Sequence, residues 1–175
     1  MRKQLKTPLE LLRYTRHDWL NRLQIIQGQL YLGNIEKVQQ YISEILEIEK
    51  ASAYFSHLGC EKTALLFLTH NWRMSPIVIQ LKGEGMPANW EKWDEALCQF
   101  SAAFIQLLEV YGDLYEVNQL YITADGMNIY FDYSGKLSQV GAFQERMQEI
   151  LPNKLLYVEY VYVAKEEMSI QLQLK

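Results

Sequence analysis

The sequence predicts an α+β chain. An N-terminal antiparallel helical hairpin occupies residues 1–55, and a second domain with helices on one face of a mostly antiparallel sheet occupies residues 60–175. Three observations carry this reading. Apolar residues recur at three-four spacing through the first fifty positions, broken once, at Gly33-Asn34. From residue 60 onward the pattern changes to alternating runs mixed with helical stretches. The alternating runs come in pairs around turn residues.

Thr7 caps the first helix, Pro8 suits its first position, and Glu10 completes a T-x-x-E capping box. Leu9, Leu12, Trp19, Leu23, Ile26 and Leu30 then form an apolar seam that Arg16 interrupts. Gly33-Asn34 reads as a tight turn. A second helix carries Ile35, Val38, Ile42 and Ile45 on one face and should run to about residue 53. Two such helices joined by a short turn form a hairpin. A lone hairpin leaves an apolar stripe uncovered, and two copies cover each other as a four-helix bundle, so a homodimer is expected. The alternative is that the rest of the same chain covers the stripe.

Residues 61–73 read as helix and Ile77–Lys82 as strand, with Gly83-Glu84-Gly85 as a turn after it. Trp90–Tyr111 read as a long helix. Gln119–Thr123 and Asn128–Tyr133 alternate around Asp125-Gly126, a hairpin signal. Gln139–Leu151 read as a helix stopped by Pro152. Leu155–Ala164 and Met168–Leu174 form a second hairpin around Lys165-Glu166-Glu167.

Composition excludes several classes. The chain has 175 residues and a net charge of −4, which does not point to nucleic acid. The charge is uneven: residues 1–50 carry 8 Lys/Arg against 6 Asp/Glu, and residues 51–175 carry 9 against 15. A basic first helix favours an acidic or phosphorylated partner, although a solvated helix face has the same composition. Tyr121, Tyr130, Phe131, Tyr133, Tyr157, Tyr160 and Tyr162 fall in the expected strands. The acidic balance there favours sheet packing over base stacking. Cys60 and Cys98 form no close-spaced metal or redox motif and read as buried thiols. His57 falls in a linker, and His70, among Leu66, Phe67, Leu68 and Trp72, reads as a packed helix residue rather than a metal ligand. No apolar core of a signal peptide follows Met1-Arg2-Lys3, and no run approaches a membrane span. The expected compartment is a reducing cytoplasm, with no membrane and no nucleic acid among the partners.

The stretch that carries chemistry is Arg16-His17-Asp18-Trp19-Leu20-Asn21-Arg22-Leu23-Gln24. At ~100° per residue, His17 sits roughly 130° from the centre of the apolar seam and faces solvent. Glu10, Arg13, Asn21 and Gln24 share that outer face. An unperturbed imidazole titrates near ~6.5, so at cytoplasmic pH it keeps a nitrogen lone pair able to attack phosphorus. Asp18 or a nearby polar group can fix the ring tautomer. Asn21, one turn on, can hydrogen-bond a phosphoryl oxygen or a partner loop. Arg13 and Arg16 bring positive charge near a transferred phosphate.

His17-Asp18-Trp19-Leu20-Asn21 resembles the H-[ED]-x-x-[NT] box around the phospho-accepting histidine of two-component histidine kinases. The longer run R-H-D-W-L-N-R-L-Q-I-I-Q-G resembles the active-site helix of the sporulation initiation phosphotransferase B family of spore-forming bacilli. Phe67-Leu68-Thr69-His70-Asn71-Trp72-Arg73 and Gly83-Glu84 add to that resemblance, which is loose after residue 85. It implies a dimer formed through the hairpin and a second domain similar to a degenerate histidine-kinase ATP-binding domain, an α/β sandwich. It also implies a phosphorelay: a phosphoryl group passes from the aspartate of one response-regulator receiver to His17, then to the aspartate of a second receiver controlling sporulation. Arg16, Asp18, Leu20, Asn21 and Gln24 lie on or beside the surface that would meet the receivers.

A working kinase needs an asparagine-bearing helix, an Asp-x-Gly-x-Gly turn and a glycine-rich lid. Asp132-Tyr133-Ser134-Gly135 is a poor remnant of the turn, and the 90–111 helix places no asparagine toward a nucleotide. ATP-dependent phosphorylation is therefore not expected, and no cofactor is expected on this chain. Mg²⁺ is expected in the receiver's own acidic pocket. Two rival functions remain: a non-catalytic dimeric adaptor for response regulators, and an ATP-dependent histidine kinase.

Overall fold

The computed structural model describes residues 7–151 and 156–175. The expected stop at Pro152, the strand start at Leu155 and the basic Met1–Lys6 segment lie outside the described residues. Two compact units divide the chain, Met1–Glu47 and Ile48–Lys175.

The first unit is built on α1 (Pro8–Tyr31) and the start of α2 (Ile35–Ser56). The capping box forms as the sequence predicts. Glu10 N–H donates to Thr7 Oγ1 at 3.3 Å, and Thr7 N–H donates to Glu10 Oε2 at 2.9 Å, which occupies backbone groups that a helix N-terminus leaves without partners. Gly33, at φ 74°, supplies the left-handed turn between the helices. Asn34 then closes the turn by donating from Nδ2 to Gln29 Oε1 at 2.8 Å. Val38 and Ile45 are buried, while no residue of α1 is.

The division between units falls inside α2 because the last turns of that helix belong to the second core. Ala51 and Phe55 are buried, and the Phe55 ring meets Phe67 edge-on at 5.9 Å. Tyr54 lies over β1 (Ile77–Glu84), donating from its hydroxyl to Glu84 O at 2.8 Å. Gly83 makes room for that ring: a Cβ there would stand 2.1 Å from Tyr54 Cγ. Gly83 and Glu84 therefore continue the strand, paired with Ala124 and Asp125, and the turn expected at 83–85 begins only at Gly85.

The second unit continues with α3 (Glu61–His70), α4 (Asp94–Tyr111), β2 (Asn118–Asp125), β3 (Asn128–Ser134), α5 (Val140–Ile150), β4 (Leu156–Val163) and β5 (Glu167–Leu174). The sheet order is β1-β2-β3-β5-β4. The β1–β2 pair is parallel, with α4 in the crossover, and the other three pairings are antiparallel. Burial alternates along the inner strands. Leu120, Ile122, Ala124, Ile129, Phe131, Tyr133, Ile170 and Leu172 point into the core. Phe131 sits at its centre, edge-on to Phe67, Phe100 and Phe104 at 5.6–6.3 Å. The strand aromatics divide: Phe131 and Tyr133 are core residues and Tyr130 is half-buried, whereas Tyr121, Tyr157, Tyr160 and Tyr162 are exposed.

The long 90–111 helix is shorter than expected. Trp90 is fully buried, donating from Nε1 to Gly126 O at 2.9 Å, and a 3-10 turn at Glu91–Trp93 precedes α4. The first α4 residue, Asp94, serves another helix. Its carboxylate accepts from the backbone N–H of Lys62 and Thr63 at 3.0 and 2.9 Å and so caps α3, which has no side-chain cap of its own. Cys60 beside it is buried, and burial pushes its thiol pKa up to about 11.

Candidate functional site

His17 stands on the exposed surface of α1. Helical spacing sets Arg13, His17, Asn21 and Gln24 in one outward row, and all four are exposed. Arg16 and Leu20, exposed, and Asp18, half-buried, flank that row. The seven residues singled out in the sequence thus form one contiguous patch along three turns.

The imidazole has a fixed neighbour. Asn21 Nδ2 lies 3.2 Å from His17 Nδ1. The polar group that holds the ring is therefore the asparagine one turn on. Thr15 Oγ1 donates back to Leu11 O at 3.0 Å on the preceding turn, which keeps its hydroxyl away from the imidazole. Beside the patch, the Arg22 guanidinium lies 5.3 Å from the Trp19 ring centre and covers the aromatic face.

The apolar seam of α1 is open. Leu12 is 62% exposed and Leu23 54%, and Leu9 and Leu30 are similar. On α2, Ile42 and Leu46 are exposed too. Apolar side chains repeating at this spacing along both helices form a stripe of the kind that monomers seldom leave to water.

The second motif, Phe67–Arg73, has a structural task. Strand β1 lies at a sheet edge, and His70 and Asn71 take the place of a neighbouring strand. His70 Nε2 donates to Ile77 O at 2.9 Å. Asn71 Nδ2 donates to Ile79 O at 2.7 Å, and its Oδ1 accepts from Ile79 N–H at 2.9 Å. These bonds occupy the outward backbone groups at Ile77 and Ile79, where a foreign strand would otherwise pair. His70 is buried, and Arg73 Nη2 lies 3.0 Å from its Nδ1 while also bridging to Glu109 at 2.6 Å. Burial lowers the pKa of His70, and the Arg73 charge lowers it further. The sequence marked this segment as similar to a family, but its edge-sealing role needed β1 to be placed first. His57 follows α2 directly and donates from Nδ1 to Ala53 O at 2.6 Å.

The Asp132–Gly135 segment is likewise taken up by structure. Asp132 accepts from Ser169 Oγ at 2.6 Å. Tyr133 is buried and donates to Asn118 Oδ1 at 2.6 Å, and burial and nearby Asp113 push its pKa up to about 12. Gly135 packs so close to that pair that a Cβ would reach 2.4 Å from Asn118 Oδ1. The next residues are stitched on both sides: Gly135 N–H to Glu166 O, Leu137 N–H to Lys165 O, and Asp113 N–H to Lys136 O. Leu137 is buried where this segment meets Gly112. Among the described residues, no cluster of three His, Cys, Asp or Glu side chains could hold a metal ion, and no helix is long and apolar enough to cross a membrane.

Residues 1–56 match the family model described as Sensor kinase SpoOB-type, alpha-helical domain. Residues 59–175 match the model described as Sporulation initiation phospho-transferase B, C-terminal. Sporulation initiation phosphotransferase B of Bacillus subtilis (strain 168) is 25% identical over 146 residues, covering 80% of this chain and 76% of that protein. Among solved structures, the histidine kinase AdeS of Acinetobacter baumannii aligns over 91% of this chain and 97% of its own, at 13% identity and a TM-score of 0.39.

Proposed function

Since this chain belongs to the sporulation initiation phosphotransferase B family, we propose that it relays a phosphoryl group between two response-regulator receivers through a phosphohistidine at His17. The observation that carries the proposal is the exposed imidazole in the middle of the Arg13–Gln24 row, held at Nδ1 by Asn21.

In the first step the free imidazole nitrogen attacks, in line, the phosphorus of an aspartyl phosphate. An N–P bond forms, and the P–O bond breaks with its electron pair going to the aspartate. In the second step a carboxylate of the other receiver attacks the same phosphorus, and the pair returns to the imidazole. Phosphoryl transfer asks for positioning and charge stabilisation more than covalent chemistry. Arg13 and Arg16 supply positive charge, and Asp18, Leu20, Asn21 and Gln24 supply contact surface. Mg²⁺ belongs to the receiver, where it neutralises phosphoryl oxygens. One histidine serves both receivers, so they dock on one face in turn.

Two further parts of the proposal rest on other observations. The open seam of α1 and α2 supports a homodimer in which two hairpins form a four-helix bundle, and each apolar side chain so buried contributes about 1.5–3 kcal/mol. The stitched Asp132–Ser138 segment, with Leu137 buried in it, supports transfer without ATP. The proposed compartment is the cytoplasm, where receivers reside.

The test mixes the purified protein with a radiolabelled, phosphorylated receiver and Mg²⁺, without ATP, beside the His17→Ala variant. Acid-labile, base-stable label on the wild type alone is expected. Receivers that bind equally well to both proteins and label neither would replace the relay with a non-catalytic adaptor.

A further inference from the structure

One face of the sheet carries the core, and the register sets the outward side chains of the other face in rows. Gln80, Tyr121, Asp132, Ser169 and Tyr162 stand side by side across all five strands. The next row is Lys82, Thr123, Tyr130, Gln171 and Tyr160, and Tyr157 lies in the one beyond, beside Gln173. Their neighbours along the strands, such as Ile122, Phe131 and Ile170, are the buried ones. Tyr121, Tyr157, Tyr160 and Tyr162 are exposed.

This open face is negative. Glu84, Asp125, Asp132 and Glu167 lie on it by strand parity, and Glu159 reaches it at the β4 bulge, accepting from Gln171. Lys82 pairs with Glu84 at 2.6 Å, and among the described residues no lysine or arginine pairs with the other four carboxylates. The tyrosines register that field. Burial, then Asp125, Glu159 and Glu84, raises the pKa of Tyr130, and Glu167 raises that of Tyr162. The face also has a groove of about 880 Å³, whose lining includes Tyr121, Asp132, Ser169, Tyr162, Lys165 and Glu167. Asp132 Oδ1 accepts from Ser169 Oγ at 2.6 Å, and Oδ2 has no hydrogen-bond partner among the described residues. A cation already rests on one ring of the face: Lys175 Nζ lies 3.9 Å from the centre of Tyr157.

We propose that this open sheet face docks an extended, arginine- or lysine-bearing segment of a partner protein, with one cationic side chain entering the groove between Tyr121 and Tyr162 against Asp132. The inference uses residues of the second unit alone and does not rest on the relay at His17.

Charge and span together select this occupant. The carboxylates repel nucleic acid and anionic lipid, and a second copy would set like charges against each other. Tyrosine rings offer both apolar area and a negative π-face to a guanidinium or ammonium. Tyr121 and Tyr162 stand three strand spacings apart, about 14 Å, which one cationic group cannot bridge and four or five extended residues at ~3.3 Å each can.

The probe is a fluorescent peptide of alternating arginine and serine, about eight residues long so that it crosses the sheet. It is titrated with the full chain at physiological salt and followed by anisotropy. Saturable binding to the wild type is expected. Tyr121→Ser and Asp132→Asn should each weaken it roughly fivefold or more, the worth of one partly desolvated cation–π contact or charge-assisted hydrogen bond. Asparagine keeps an oxygen for Ser169, so that variant removes charge without removing the neighbour's acceptor. Glu145→Gln, the same loss of charge on exposed α5, should change affinity by less than about twofold. Four results overturn the proposal. The peptide may show no saturable binding. Equal weakening in all three variants marks diffuse charge attraction. Spermine at equal cation concentration displacing the peptide with matching affinity marks a small-polyamine site. A self-associated species that Tyr121→Ser dissociates without peptide marks a second copy as the occupant.

Discussion

Replacing Asn71 by alanine should loosen β1 from α3. In the native fold the carboxamide makes two hydrogen bonds to one residue of the edge strand, donating to Ile79 O at 2.7 Å and accepting from Ile79 N–H at 2.9 Å. Both are partly buried, and the Ile79 side chain beneath them is in the core. An ordinary intramolecular hydrogen bond contributes about 0.5–1.5 kcal/mol net, and a half-buried backbone group left without a partner costs toward the upper end. Two such bonds place the loss at about 1–3 kcal/mol. For a chain of this size that lowers the melting temperature by about 3–8 °C. The assay is urea unfolding followed by tryptophan fluorescence, because Trp90 and Trp93 are buried in the same core. Protein concentration must be held constant, since association shifts apparent stability. Gln80→Ala, an exposed change on the same strand, is the control and should move stability by less than about 0.5 kcal/mol. Asn71→Asp is the sharper variant. It still accepts from Ile79 N–H but turns a carboxylate toward Ile79 O, so it should cost at least as much as alanine at neutral pH. If Asn71→Ala matched the Gln80 control, or Asn71→Asp were harmless, the edge-sealing account of this motif would be refuted.

Two other outcomes follow from the packing. Gly83→Ala should destabilise by about 1–3 kcal/mol, because its Cβ would overlap the Tyr54 ring. Measured by the same unfolding assay, that cost should shrink in a Tyr54→Ala background, and a cost equal in both backgrounds refutes the overlap. His70 is held neutral by burial and by Arg73, so its folded pKa lies below its unfolded one. The unfolded chain then binds the extra proton first, and stability should be full above about pH 6.5 and decline as pH falls below it. His70→Gln should flatten that decline in a pH series of unfolding midpoints.

How much of this was legible in the sequence depended on the range of the forces involved. The capping box at Thr7, the turn at Gly33-Asn34, the hairpin at Asp125-Gly126 and the alternating strands are all specified by residues a few positions apart, and each appears as expected. The outward row of Arg13, His17, Asn21 and Gln24 was equally visible, because helical period alone fixes which side chains share a face. The structure then added the atom-level fact that spacing leaves open, the engagement of Nδ1 by Asn21.

Where the reading and the structure differ, the deciding partner is far away in the chain. The helix expected from Trp90 begins at Asp94 because Trp90 is drawn into the core toward Gly126, and because the Asp94 carboxylate caps α3 some thirty residues earlier. The helix expected to reach Arg73 ends at His70 because Asn71 is claimed by the edge of β1. The turn expected at Gly83 is a strand because Tyr54 lies flat upon it. The sequence by itself determined the elements and the chemical face of α1, since local sterics and periodicity act within a turn or two of chain. Only the tertiary structure decided the parallel pairing of β1 with β2, the sealing of its edge and the true ends of two helices. Those depend on backbone donors and acceptors finding partners that the linear order does not place beside them.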